Sequence, residues 1–154
     1  MKQSSKFLVV AATALCSRAW ADSGHDHQHP GATFGRPGDP RHVSRTIEID
    51  MSDTMRFTPS GIAVRKGETI RFVVKNSGQL KHEMVIGTQK QLREHAALMR
   101  KFPEMEHDDA NHVVVDPGKS GELVWHFTKS GTVEFACLQP GHFEAGMRGS
   151  IAVR

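Results

Sequence analysis

Cysteine is scarce in this chain of 154 residues, which contains only Cys16 and Cys137. A framework of several disulfides, of the kind that stabilises many small secreted proteins, is therefore excluded. Long apolar runs are missing as well. The apolar run from Phe7 to Leu15 is too short to cross a bilayer as a helix.

Signatures of catalysis and of nucleic-acid binding are also missing. No Ser-His-Asp arrangement, phosphate-binding glycine loop or paired-carboxylate motif stands out. No basic patch is interleaved with aromatic residues, so nucleic acid is not an expected partner. The sequence therefore gives no indication of an enzyme.

Residues 1–21 have the pattern of a cleaved signal peptide. Two lysines precede the apolar run, and Ala19-Trp20-Ala21 supplies the small-x-small pattern that signal peptidase cuts. A lipid anchor on Cys16 is the alternative, but the bulky Leu15 before it is unusual at such a site. We expect export to the periplasm with cleavage before Asp22 and no membrane anchor.

Cleavage changes both the charge and the cysteine count. Because Lys2, Lys6 and Arg18 lie in the leader, Lys+Arg falls from 20 to 17, against 17 Asp+Glu. The remaining 154 − 21 = 133 residues suffice for one domain with an adequate core. Cys137 becomes the only thiol. In an exported protein it is reactive, occupied by a ligand, paired between molecules, or simply buried.

The pattern of the remaining chain predicts a tail followed by one domain. Residues 22–41 are rich in Gly, Pro and His and lack apolar periodicity, which predicts a flexible tail. Residues 42–154 contain short alternating segments between turn signals, with Ile70, Phe72 and Val74 on one face. Seven or eight such strands predict an all-β fold, a Greek-key β-sandwich.

One segment has helical periodicity, around residues 89–102. Thr88 is a plausible N-cap with Gln91 at the capping-box position, and Pro103 ends the pattern. The apolar residues of this segment share one face, which predicts a helical insertion packed on a sheet: Leu92, Ala96, Met99 and Phe102.

Soft metal donors are concentrated in the segment CLQPGHFEAGM, residues 137–147. Cys137 ends one predicted strand and Met147 opens the next, so the loop between them can fold its donors, His142 included, toward one point. A thiolate, imidazoles and a weak axial thioether are the donors of a mononuclear electron-transfer copper site. Zinc is the competing metal, although structural zinc sites seldom include a thioether.

Such a copper site needs a second imidazole from elsewhere in the fold. His82 is the best candidate, because it opens a predicted strand after a turn-forming loop. His112 and His126 are poorer candidates. A nucleophilic Cys-His pair is the other chemistry to consider. It leaves Met147 unexplained and lacks a third orienting group.

The phrases HEMVIG, with His82, and CLQPGHFEAGM, with Cys137, His142 and Met147, resemble those of the cupredoxins, the small blue-copper proteins that include azurin, plastocyanin and rusticyanin. The strand phrases MRFTPSGIAVRKGETIRFVVKN and GTVEFAC are similar as well. The resemblance covers roughly residues 43–154. It implies a Greek-key sandwich and one type 1 copper cycling between Cu(I) and Cu(II), in electron transfer or copper handling.

Two related classes of copper protein do not fit the sequence of this loop. A multicopper oxidase domain would need histidines flanking the cysteine, where Ala136 and Leu138 stand. A binuclear site would need a second cysteine in the same loop. The acidic stretch FPEMEHDDANH, the helix and the His-bearing tail instead resemble periplasmic cupredoxins associated with bacterial copper tolerance.

Further copper sites are possible outside the loop. His25, His27 and His29 alternate in the tail and could wrap a second copper ion. Packing is the better explanation for Met84 and Met99, because methionine is a common core residue. Packing and copper binding fit equally well for the remaining candidates, which are Met51 and Met55 at one turn and Met105, His107 and His112 in the acidic stretch.

Two functions follow from these residues. A copper-tolerance protein would bind or oxidise excess periplasmic copper, with the tail collecting extra ions, and the tail favours this function. A dedicated carrier would exchange electrons with a redox partner docked at the edge of His142. In that case Pro140, Phe143 and Ala145 would form an apolar docking face.

Overall fold

The fold is a two-layer β-sandwich with one α-helix. The computed structural model describes residues 34–104 and 109–154. In those ranges the chain forms one α-helix, α1 (Gln89–Lys101), one turn of 3-10 helix (Pro40–His42), and ten strands: β1 (Gly35–Pro37), β2 (Arg45–Ser52), β3 (Arg56–Thr58), β4 (Gly61–Val64), β5 (Thr69–Asn76), β6 (His82–Gly87), β7 (His112–Val115), β8 (Ser120–Phe127), β9 (Gly131–Ala136) and β10 (Arg148–Val153). The prediction of an all-β sandwich with a single helical insertion is confirmed.

The strands form two five-stranded sheets. One has the order β1-β8-β5-β2-β3 and the other β4-β10-β9-β6-β7. The pairs β2–β5 and β4–β10 are parallel, and the remaining pairs are antiparallel. Because neighbours within a sheet are mostly not consecutive in sequence, the chain crosses repeatedly between the layers, as Greek-key connections require.

Alternating apolar residues place the core between the sheets. Ile70, Phe72 and Val74 of β5 are fully buried, as their period of two predicts. Across the layers, the rings of Phe57 and Phe135 meet edge to face, 5.0 Å apart. Fully burying one such side chain contributes roughly 1.5–3 kcal/mol, so the facing residues of the two sheets hold the layers together.

Strand β6 is buried along its whole length. Met84 and Ile86 face the core between the sheets, whereas Val85 belongs to a second apolar cluster on the opposite side. Helix α1 covers that side with Leu92, Ala96 and Met99. The strand that begins at His82 is therefore held on both faces.

Helix α1 begins with the predicted capping box. Thr88 Oγ1 accepts the Gln91 backbone N–H at 3.3 Å, and Gln91 Oε1 accepts the Thr88 backbone N–H at 2.9 Å. Phe102 was expected on the buried face, and this is wrong, since its side chain is 55% exposed. The helix ends at Lys101 and the backbone of Phe102 is no longer helical, with φ of −135°, which turns the ring away from the buried face. No helix in the described ranges is long and apolar enough to cross a membrane.

Regular structure begins before residue 42, where the domain was expected to start. Gly35–Pro37 pairs with β8 as an edge strand, and Phe34 packs against Trp125 with ring centroids 5.5 Å apart. A Cβ at Gly35 would lie 2.3 Å from the Trp125 indole nitrogen, so only glycine fits there. Edge strands tolerate proline. A segment rich in Gly and Pro can therefore form a strand here, although its composition predicts a tail.

The candidate methionines separate into two groups. Met84 and Met99 are buried, as the packing explanation predicts, and Met51 is also fully buried in the core. Met55 is partly buried and packs against that core. The other candidates and the predicted signal peptide, residues 1–21, lie outside the described residues. These candidates are Met105, His107, His25, His27 and His29.

If β1 is part of the folded domain, replacing Phe34 with alanine will destabilise it. We expect a loss of roughly 3–5 kcal/mol in the free energy of unfolding, because the substitution empties a buried aromatic site. Urea denaturation measures this, with Arg36→Ala on the exposed face of β1 as the control, expected within about 0.5 kcal/mol of the parent. Equal stabilities for the two variants would mean that residues 34–37 belong to the tail and not to the folded domain.

Candidate metal centre

Three potential ligand atoms converge at one end of the sandwich. His82 Nδ1 lies 3.2 Å from His142 Nδ1, while Cys137 Sγ lies 3.3 Å from His142 Nδ1 and 3.9 Å from His82 Nδ1. Within the described ranges this is the only group of three or more His, Cys, Asp or Glu side chains arranged to hold a metal ion. Three of the four residues that the sequence predicts for the copper site therefore have their side chains close together in the structure.

The pairing of two strands brings the backbone of Met147 next to that of Cys137. Cys137 directly follows β9 and Met147 directly precedes β10, and these two strands pair antiparallel. The Cys137 backbone N–H donates to the Met147 carbonyl at 3.1 Å, closing the base of the loop. The side chains of Met147 and Cys137 are fully buried in the same core cluster.

The loop between them is a chain of tight turns. The His142 backbone N–H donates to the Gln139 carbonyl, and the Met147 N–H donates to the His142 carbonyl, both at 3.0 Å. Gly141 and Gly146 adopt φ values of 86° and 91°, which side chains rarely permit. These turns fold His142 back over the cysteine.

His82 is held by the loop that precedes it. The Asn76 side chain is fully buried; it donates to the carbonyls of Leu80 and Val115 at 2.8 and 2.9 Å and accepts the Gly78 N–H at 2.9 Å. Because a buried amide with all these bonds has one orientation, the entry to β6 is fixed.

Asp53, in the turn between β2 and β3, contacts the outer nitrogen of His82. Its Oδ1 lies 3.1 Å from His82 Nε2, and its two oxygens also accept the backbone N–H groups of Gln79 and Leu80 at 2.7 and 3.2 Å. The Gln79 N–H, followed by the Leu80 N–H and His82, outweighs partial desolvation and lowers the pKa of the Asp53 carboxyl. Sequence reasoning missed this residue.

Glu83 follows His82 and ties β6 to the ligand loop. Its buried carboxylate accepts the Leu138 N–H at 3.0 Å, Gln139 Nε2 at 2.9 Å and His112 Nε2 at 3.1 Å. Desolvation alone would raise the pKa of Glu83, but the His112 contact and the bonds from Gln139 and Leu138 leave that pKa below its usual value. His112, weighed as a metal ligand, is therefore a partner of Glu83 instead.

Burial favours the neutral forms of Cys137 and His142 in the metal-free protein. Burial raises the pKa of the Cys137 thiol to about 12, although the backbone N–H groups of Glu83 and Gln139 point at its sulfur and favour the thiolate. Desolvation, and then the charge of His82, lower the pKa of His142, which favours the neutral imidazole. A bound cation would replace the thiol proton and use the imidazole lone pairs.

The spacing of the donors fits a single ion. Three ligands at bond lengths of about 2.0–2.3 Å in one plane lie roughly 3.5–4.0 Å apart, and the observed separations are 3.2, 3.3 and 3.9 Å. Two imidazoles, a thiol and a nearby thioether are a donor set suited to copper. The site residues therefore fit this metal with little rearrangement.

Two further predictions about individual side chains have clear outcomes. His126, the remaining alternative imidazole, lies on β8 and contacts Thr69 Oγ1 at 2.9 Å, away from the cluster. Phe143, expected on an exposed docking face, is instead buried against α1, with the Arg148 guanidinium 4.9 Å above its ring. His142 is the one partly exposed residue of the four candidate ligands.

A family model for copper-binding proteins of the plastocyanin/azurin family matches residues 43–154. This chain belongs to that family. Copper is therefore the cofactor of this cupredoxin, and the expected family resemblance is confirmed.

Relatives of this cupredoxin cover nearly its whole length. The copper-resistant cuproprotein CopI of Rubrivivax gelatinosus is 51% identical over 96% of this chain and 94% of that protein. The protein of the same name from Vibrio cholerae is 38% identical over 94% of this chain and 95% of that protein. The structure of reduced auracyanin from Roseiflexus castenholzii superposes with a TM-score of 0.62 at 23% identity, over 73% of this chain and 98% of that one. That likeness shows the fold.

If Glu83 ties the site together, Glu83→Gln will destabilise the metal-free cupredoxin. An amide keeps one acceptor oxygen and turns its NH₂ group toward donors that the carboxylate now binds, so we expect a loss of roughly 1–3 kcal/mol for the bonds left unmade. Urea denaturation measures the change. Glu122→Gln, on an exposed side chain of β8, is the matched control. Equal stabilities of the two variants would contradict the role of Glu83.

Proposed function

We propose that this cupredoxin binds one copper ion through His82, Cys137, His142 and Met147 and exchanges electrons through it in the service of copper tolerance. The observation that carries the proposal is the convergence of the two Nδ1 atoms and Sγ within 3.9 Å of one another at one end of the sandwich. Bound copper supplies a one-electron couple between Cu(I) and Cu(II).

The protein's part is to hold these donors in one geometry and to exclude water. Cys137, His82 and Met147 have no exposed surface, so the inner side of the site is dry. His142 is partly exposed and is the route for electrons to and from the ion. Because the sandwich and the loop turns fix the donors in advance, little reorganisation accompanies a change of oxidation state.

The assignment to copper tolerance rests on the relatives. The proteins that match nearly the full length of this chain are named copper-resistant cuproproteins. The leader pattern in residues 1–21 supports a periplasmic location, where excess copper would be met. We therefore propose a binding and electron-transfer protein and not an enzyme.

Metal binding by the tail would form a separate site. Phe34 lies beside the Phe127 end of β8, whereas the ligand cluster lies toward the Ser120 end. The five residues from His29 to Phe34 span at most about 18 Å, and the seven steps along β8 cover about 23 Å. An ion held jointly by His25, His27 and His29 is thus distinct from the copper of the ligand loop.

A dedicated electron carrier is the second candidate function. The surface around His142 includes the exposed residues Pro140 and Ala145, and Leu80, in the loop before His82, is 47% exposed. These residues would form an apolar face for a redox partner, with Leu80 taking the place expected for Phe143. The partly exposed ring of His142 favours this alternative as well.

Replacing Cys137 with serine tests the ligand assignment. We expect the intense visible absorption band of the Cu(II) protein to disappear, because that band requires a thiolate bound to copper. Titration with Cu(II), followed by absorption spectroscopy and copper analysis, measures the change. His126→Gln, a histidine outside the cluster, should keep the band. A Cys137→Ser variant that keeps its colour would overturn the assignment.

Replacing His25, His27 and His29 together with alanine distinguishes a copper-tolerance function from a dedicated electron-carrier function. If the tail collects copper, the triple variant will bind fewer copper ions, keep its visible band and support poorer growth of the cells on copper. Electron exchange with a small redox reagent should be unchanged. Unaltered stoichiometry and growth would remove the tail's support for tolerance and leave the carrier function.

A further inference from the structure

We propose that Asp53 is a positioning residue: its carboxylate fixes the ring orientation and the tautomer of His82, so that Nδ1 presents a lone pair to the copper. This inference rests on the proposed copper site and adds a residue to it. Asp53 lies 29 positions before His82, in a different turn, and no ligand motif includes it.

The contact defines the proton on the ring. An ionised carboxylate accepts hydrogen bonds and cannot donate them. With Asp53 Oδ1 at 3.1 Å from His82 Nε2, the proton of a neutral His82 must lie on Nε2. The lone pair then lies on Nδ1, the atom that faces His142 and Cys137 at 3.2 and 3.9 Å. Metal-binding histidines commonly use a carboxylate on the outer nitrogen in this way.

The carboxylate is itself held in place. Besides His82, its oxygens bind the Gln79 and Leu80 N–H groups of the loop that leads into β6. A Cβ at Gly78 would lie 2.0 Å from Asp53 Oδ1, so glycine at this position allows the close approach. Met55, two residues after Asp53, adopts a backbone φ of 59°, which is unusual for a residue other than glycine. The loop from Gly78 to Leu80 is thus packed closely around the Asp53 carboxylate.

The charge of Asp53 also bears on the metal. A carboxylate on the outer nitrogen makes the imidazole a stronger donor, and a negative charge near the ion favours Cu(II) over Cu(I). A neutral acceptor at the same place would orient the ring without that charge. The variants Asp53→Asn and Asp53→Ala therefore separate orientation of the ring from the effect of the charge.

The first measurement needs no copper. Nitrogen-15 NMR of the metal-free protein at neutral pH reports which ring nitrogen of His82 carries the proton. We expect Nε2–H in the parent protein and in Asp53→Asn, and a mixture of tautomers in Asp53→Ala. Dispersed backbone spectra verify that each variant is folded.

The second measurement uses the copper protein. We expect Asp53→Ala to lose about 10- to 100-fold in copper affinity, as removal of such a partner commonly does. Asp53→Asn should recover much of that affinity while raising the reduction potential, because the acceptor is kept and the charge is lost. Asp50→Asn is the matched control, since Asp50 holds the same loop through Ser77 Oγ at 2.7 Å and does not touch His82.

The outcomes distinguish this inference from the copper site itself. An unchanged His82 tautomer and unchanged copper affinity in Asp53→Ala would overturn the role of Asp53 while leaving the site intact. Equal effects of Asp50→Asn would assign the result to the loop alone and overturn it also. If Asp53→Ala loses the fixed His82 tautomer but the parent protein shows no intense copper band, the role of Asp53 is supported and the proposed function is overturned.

Discussion

The buried carboxylate of Glu83 is the interaction on which the metal end of the molecule depends. A charge removed from water is stable only if its oxygens are fully hydrogen-bonded, and here the partners are the Leu138 N–H, the Gln139 amide and His112. Two of these partners directly follow Cys137, and Glu83 directly follows His82. Satisfying one buried charge therefore sets the distance between two candidate ligands, His82 and Cys137, that are 55 residues apart in sequence.

Helix α1 supports the same loop from the other side. Leu92, Ala96 and Met99 pack against Leu138 and Phe143, the residues adjacent to Cys137 and His142. Arg100 pairs with Glu144, and Arg56 donates to the Ala145 carbonyl at 3.1 Å. Because exposed ion pairs contribute little on their own, the apolar contact stabilises the loop more than these polar contacts do. The insertion is a structural part of the metal end and not a peripheral addition.

Much of this architecture was predictable because its signals are local. Strands follow from alternation, as in β5, and the helix from its capping box and apolar face. Cys137, His142 and Met147 lie within one loop, so their spacing alone indicates a common site. His82 required one additional step, the recognition that a turn before a strand can present an imidazole to that loop.

The rest was not predictable because its causes are not local. Asp53 lies in a polar turn, where aspartate is common for reasons unrelated to metals, and only the folded chain brings it to His82. Glu83 stands in plain view beside His82, but nothing local indicates that this charge is buried. Strand β1 contains glycine and proline, which usually signal a loop. Phe143 faces the helix because of packing across the loop, which spacing does not encode.

The attachment point of the N-terminal segment has a kinetic consequence. Residue 34 is fixed beside Phe127, at the end of the sandwich remote from the ligand cluster. The seven steps along β8 put about 23 Å between that point and the Ser120 end, where the ligand cluster lies. A copper ion bound beside Phe34 would therefore lie too far from the candidate ligands to exchange directly with them. Its transfer to the ligand loop would require release from the first position, so the rate of loading would be limited by copper dissociation there.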